Sequence, residues 1–146
     1  MTLSPSQILA KYLQNEGIVN AYNNATWPGI VDSLPDTPDN LVMINDTNPS
    51  PDGRRMDGFY AQHEGIMIRI RATTYPVGWS KGKDIEDALR RVKMTNVTLT
   101  VTGGDDRVYR LNVFCRTSGL QKFGQEEKNI RQLFSINGTL SFVRIA

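Results

Sequence analysis

The sequence predicts an α+β fold: a mostly antiparallel sheet of about five strands, with two main helices packed on one face and long loops between elements. Three observations point there. Apolar residues at Ile8, Leu9, Tyr12 and Leu13, and again at Ile85, Ala88, Leu89 and Val92, recur at helical spacing. Ile66, Ile68 and Ile70, then Val97, Leu99 and Val101, occupy every second position, as half-buried strands do. The resulting order is helix, strand, strand, helix, strand, strand, strand. A chain of 146 residues suits a single domain, 1–146, with a first helix at about 5–16 and a sheet-and-helix core over 40–145.

The first helix begins at Ser4 or Ser6 as cap, with Pro5 in the first turn, and ends at Gly17. Residues 18–40, rich in Asn, Gly and Pro, read as an irregular connection held down by Trp27, Ile30, Val31 and Leu34. The run "NLVMIN" (40–45) reads as a short buried strand. The stretch 46–65 shows no period and carries Pro, Gly, Asp and Arg, so it reads as a long loop. A loop of that length inside a small domain usually has a task.

The next strand, 65–73, turns Ile66, Ile68 and Ile70 one way and Met67, Arg69 and Arg71 the other. The second helix is expected at about 79–93. Its charged residues Lys83, Asp84, Glu86, Asp87, Arg90 and Arg91 are expected in water, with Glu86 and Asp87 four positions before Arg90 and Arg91.

"NVTLTVTGGDDRVYRLNVFCR" reads as a hairpin. Tyr109, Leu111, Val113 and Cys115 share a face, which sets Val101 opposite Tyr109, Leu99 opposite Leu111 and Val97 opposite Val113. That register requires an odd loop of three or five residues around Gly104-Asp105-Asp106. Residues 117–129 read as a second aperiodic polar loop. Near the C-terminus, Asn137-Gly138 is a hairpin signal that fails on parity. A two-residue turn would pair Phe134 with Ser141 and Leu133 with Phe142, mixing inside and outside. One continuous strand keeps Phe134, Ile136, Leu140 and Phe142 together, with Gly138 as a bend or bulge.

The charge balance, 17 basic against 15 acidic residues for a net +2, is too even to argue for nucleic-acid binding. One cysteine, Cys115, and one histidine, His63, exclude a disulfide framework and the common zinc spacings, and fit folding in a reducing compartment. No signal peptide or membrane-spanning run is visible. The Asn-x-Thr triplets at Asn24, Asn45, Asn96 and Asn137 then read as coincidence rather than glycosylation sites.

Chemistry is hard to find. Cys115 sits mid-pattern on an apolar strand face, where a buried inert thiol is expected. Gly103-Gly104 belongs to a turn, not a phosphate loop. Asp46, Asp52 and Asp57 lack calcium-loop spacing, and Asp105-Asp106 is ordinary turn chemistry. No catalytic residue, cofactor or metal is expected. Arg54-Arg55, Arg69/Arg71 and Lys81/Lys83 are the basic candidates. No aromatic shares the face of Arg69 and Arg71 on 65–73, as base stacking would require.

Three stretches carry a family resemblance: "WPGIVDSLPDTPDNLVMINDT", "EGIMIRIRATTYPVGWSKGKDIEDAL" and "LQKFGQEEKNIRQLFSINGTLSF". Over roughly residues 27–144 the chain resembles the tail terminator (minor capsid, tail completion) proteins of long-tailed bacteriophages. It departs from them at Gln121-Lys122-Phe123, where the family usually has a more apolar, Pro-rich loop. The resemblance implies a structural virion protein without catalytic activity, located at the head–tail junction and assembled in the host cytoplasm. It implies a homo-oligomeric ring, typically a hexamer, that caps the tail tube and joins it to the head connector or neck protein. Genomic DNA passes through the bore without specific binding, and no membrane is involved. The expected contact segments are 46–64 and 117–128, with Arg54, Arg55, Arg69, Arg71, Lys122 and Glu126 as candidate assembly contacts. Arg69 and Arg71 are expected to line the bore or a subunit interface. The alternatives are another head–tail joining protein and a small nucleic-acid-binding module; the latter would lose DNA affinity steeply with salt.

Overall fold

Ser4 starts the first helix. In the computed structural model, which describes residues 3–54, 60–101, 103–126 and 130–145 (backbone alone at 49–54 and 60–62), α1 spans Pro5–Asn15. The Ser4 hydroxyl accepts from the Gln7 amide at 3.3 Å, and Gln7 Oε1 accepts from the Ser4 amide at 2.8 Å. This is a reciprocal capping box. Gly17, at φ +75°, closes the helix. Ser6, the other candidate cap, instead donates through its amide and hydroxyl to the Asp46 carboxylate at 2.9 and 2.8 Å, tying the helix to the sheet.

The other elements are β1 (Gly29–Val31), β2 (Leu41–Arg54), β3 (Tyr60–Ala72), α2 (Tyr75–Arg90), β4 (Thr95–Thr100), β5 (Asp106–Gln125) and β6 (Gln132–Arg144). They make one six-stranded sheet in the order β1-β2-β3-β6-β5-β4. The β1–β2 pair is parallel and the rest antiparallel. The α+β class and the helices on one face hold; the strand count is six because the three-residue β1 lies inside the stretch expected to be irregular. α1 touches β1, β2 and also β4, strands at opposite edges, so the sheet curls around the helix pair. The core between them holds Ile8, Leu9 and Leu13 of α1, Ile85 and Leu89 of α2, and Ile44, Ile66, Ile68, Ile70, Phe134, Ile136 and Leu140 of the sheet.

Helix α2 starts four residues earlier than its apolar period suggests. Pro76 sits in its first turn, and Gly78 and Gly82 face the sheet in place of large residues. A β-carbon on Gly78 would collide with the Phe134 ring, and one on Gly82 with Leu120. The two glycines therefore seat the helix close against β6 and β5. Tyr12 joins the helices: its hydroxyl donates to the Ala88 carbonyl at 2.6 Å. Burial, and then the nearby Glu16 carboxylate, push its phenol above the ordinary value of 10.0. A phenol with a raised folded pKa contributes stability that is present below pH 10 and lost above it. Tyr12→Phe should cost about 1 kcal/mol at neutral pH and flatten the alkaline decline, measurable as melting temperature against pH. An unchanged alkaline slope would contradict this.

Alternation determines parity but not absolute register, and the β4–β5 hairpin illustrates the difference. Thr100 pairs with Asp106, leaving five residues, 101–105, between them, so the odd loop holds. Tyr109, however, lies opposite Val97 rather than Val101, and Leu99 opposite Arg107. The turn is built by Gly103 and Gly104 at positive φ, closed by the Val101 amide donating to the Asp105 carbonyl at 2.9 Å. The predicted face Tyr109–Leu111–Val113–Cys115 also breaks. A register shift between Leu111 and Val113 sends Phe114 inward and leaves Val113 and Cys115 exposed, so Cys115 is not the buried thiol expected.

Over most of their described residues both expected loops are strands; 55–59 and 127–129 lie outside the described residues. β2 and β3 pair through Arg54↔Tyr60, with shifts at Thr47/Ser50 and Pro51/Gly53. β5 runs on to Gln125 against β6 through four shifts. β6 is continuous, as parity required. Gly138 pairs without a shift to Ile66 of β3, and its missing side chain makes room for the Phe114 ring. The extra residue at that level belongs to β5, between Arg116 and Ser118.

Candidate functional site

At the end of the sheet where β3 and β5 finish and β6 begins, two arginines are buried on the face opposite the helices. Arg71 is 2% exposed and Arg131 4%. Such groups need full pairing to be tolerated. Arg131 Nε donates to Glu126 Oε2 at 2.7 Å, and its Nη2 lies 2.5 Å from the same oxygen. Arg131 Nη2 also donates to Asp36 Oδ1 at 3.0 Å, while Nη1 donates to the Asp36 carbonyl at 2.6 Å and to Asp39 Oδ1 at 3.2 Å. Arg71 donates to the carbonyls of Asp39 (3.2 Å) and Pro38 (2.5 Å) and stands 3.6 Å from Glu126 Oε1. Burial, then the like charge of Arg131, hold Arg71 below its ordinary value, with Glu126, Asp36 and Asp39 opposing. Burial also works against Arg131, but the Asp36 and Glu126 carboxylates outweigh it and its pKa rises. The cluster fastens the segment at Asp36–Asp39 to the sheet; Leu41 and Met43, which alternate away from the helix-facing core, are also buried.

Arg71 does face away from the isoleucines, as alternation predicts, but in the single chain its guanidinium is buried and paired within the domain. Glu126, partly exposed, is shared by the same two arginines. Arg69 remains partly exposed, 6.0 Å from the centre of the Phe123 ring. Lys122 is exposed and lies 5.8 Å from the Tyr75 ring centre. Arg54 ends β2, with only its backbone described; Arg55 lies outside the described residues. Asp36, Asp39 and Arg131 were missed. The available signal was a buried-strand pattern starting at Arg131 beside a connection containing acids and no base.

On α2, Glu86 is buried rather than solvated. It pairs with Lys83 at 3.2 Å and with Arg116 of β5, while Asp87 takes Arg90 at 3.2 Å and Glu16 takes Arg91 at 3.5 Å. The predicted pairs four positions apart are therefore replaced. Glu86 falls on the helix face that β5 covers, and Arg116 neutralises it there. A Cys115–His63 dyad does not fit the topology. β6 separates their strands, which places the backbones about 10 Å apart. Among the described residues, no group of three or more His, Cys, Asp or Glu could hold a metal ion, and no helix is long and apolar enough to cross a membrane.

What the fold does offer is two unlike, uncovered edges. β1 covers β2 along Val42–Ile44, and β6 covers β3 from Glu64 onward, so β2 and β3 beyond these points form a two-stranded ribbon that projects from the sheet. On the other side β4 covers Asp106–Leu111 of β5, and among the described residues no strand lies along 113–125 on that edge, β6 holding the opposite one. The expected contact segments 46–64 and 117–128 are thus a projecting ribbon and an open edge strand. No curated protein matches the chain. A family model described as "Bacteriophage tail terminator protein" matches residues 12–143.

Proposed function

This chain belongs to the bacteriophage tail terminator family, and from that premise we propose that it works as a closed ring of its own copies, six in number, that stops tail-tube growth and joins the tail to the head connector. The family makes the protein a structural component of the phage tail. The ring, its partners and the passage of DNA through it are our reading.

The observation that carries it is the pair of non-equivalent edges on one small domain. A closed ring with one kind of contact needs two different patches per subunit, placed so that each copy offers one and receives the other. The β2–β3 ribbon and the uncovered length of β5 meet that need at opposite sides of the sheet. A single copy, with a radius of gyration of roughly 15 Å, cannot enclose a DNA duplex, whereas several around an axis can. Exposed edges are also an aggregation hazard, which mutual contact in a ring removes. One ring face then meets the tube end and the other the neck.

The test is tube capping. Purified protein added to polymerising tail-tube protein should halt elongation at low stoichiometry, and imaging should show added ring density at tube ends. Density along tube sides, or isolated copies away from the head–tail junction in intact particles, would overturn the reading.

A further inference from the structure

The overall charge of +2 conceals a segregation. Residues 12–53 contain Glu16, Asp32, Asp36, Asp39, Asp46 and Asp52 and no lysine or arginine. Residues 107–125 contain Arg107, Arg110, Arg116 and Lys122 and no aspartate or glutamate. The fold places these stretches apart: β1, segment 32–40 and β2 on one side of the sheet, β5 on the other. β1 and β5 are four strand spacings apart, about 19 Å along the sheet, well beyond the screening length of about 8 Å at physiological salt. The two stretches do not neutralise each other within one copy, although Arg131 pairs with Asp36 and Asp39 and Arg91 with Glu16. Asp36 and Asp39 are shared with Arg131 but remain 86% and 61% exposed, and Arg116 is shared with Glu86. Asp32, exposed directly after β1, has no ion-pair partner among the described residues. Neither does Lys122 near the end of β5, which has a ring contact alone.

We propose that adjoining copies meet acidic side to basic side, the β1–β2 side of one against the uncovered β5 edge of the next, and that this charge match sets the head-to-tail order. The inference rests on the ring reading above and specifies its contact. Strand addition alone would not select the partner. β5 carries four register shifts, and β2 carries two together with Pro49 and Pro51, features that blunt edges against continuous pairing. Like sides repel, so two copies cannot associate through the same edge, and the contact propagates around an axis instead of stopping at a symmetric dimer.

The test uses Asp32→Lys and Lys122→Glu, both at exposed positions outside the core, with thermal melts to verify that each folds. Self-association by sedimentation, and the concentration that halts tube growth, are measured for the parent, each variant, and an equal mixture of the two. Parent association and capping should weaken at least about tenfold between low salt and about 1 M, where the screening length is about 3 Å. Each variant alone should weaken to a similar degree. The mixture should recover, because each variant's altered side then meets a complementary side on the other. Variants that associate and cap like the parent, a mixture no better than its components, or a parent insensitive to salt would overturn the proposal. In those cases continued capping by the parent leaves the tail-terminator reading standing, whereas a parent that never caps brings down both.

Discussion

Arg131→Met lowers the melting temperature by about 6–12 °C, the shift expected for a loss of about 2–4 kcal/mol in a domain of this size. The side chain is 4% exposed and reaches two carboxylates on segment 32–40, a backbone carbonyl there, and Glu126. Methionine fills similar volume but offers no donor. Glu126 is left beside Arg71 alone, and the Asp36 carbonyl loses its partner on the sheet. The loss should stay below the upper range for fully buried pairs, because Asp36 and Asp39 can turn to water. Asp36→Asn, at an 86% exposed position, should cost under about 1 kcal/mol. The contrast is the check: equal, small shifts for the two variants would mean that the cluster does not fasten the segment.

The same cluster shows what the sequence made legible and what it did not. Where a single period runs unbroken, the reading carried through. The start of α1 at Ser4, one of the two candidate caps, the isoleucines of β3, the apolar face of α2 at Ile85, Ala88, Leu89 and Val92, and the unbroken β6 all follow from local spacing and parity. β5 failed because each extra residue reverses which side chains point inward. Its inward positions fall at Tyr109, Leu111, Phe114 and Leu120, intervals that match no template. The β2–β3 ribbon failed for a related reason: prolines and two shifts make a paired strand look like a loop. Glu86 and Arg131 failed because burial of a charge is decided by a partner distant in sequence, Arg116 for one and Asp36 for the other. The candidate contacts divide accordingly. Lys122 is exposed and Arg69 partly exposed, whereas Arg71 and Glu126 join a network within the domain that alternation alone could not reveal.

Excising residues 48–64 and joining Thr47 to Gly65 through an Asn-Gly turn should abolish tube capping, raising the concentration required at least about 100-fold, while leaving the domain folded. Thr47 and Gly65 are already paired, and a two-residue turn of that composition suits antiparallel neighbours. β1 pairs with β2 no further than Ile44, and β6 pairs with β3 no further than Glu64, so apart from Glu64 opposite Leu140 the described part of the excised backbone is paired only between its own two strands. Such a ribbon is marginal in water when isolated. Its removal should cost the domain under about 1 kcal/mol, a melting shift below about 4 °C. A segment that adds so little to its own domain, yet is paired over the length from Ser50 to Arg54, is better explained by a surface that it completes elsewhere. Intact capping by the shortened chain would remove the ribbon from the proposed ring contact. A melting loss above about 10 °C would instead make the ribbon a support for its own sheet.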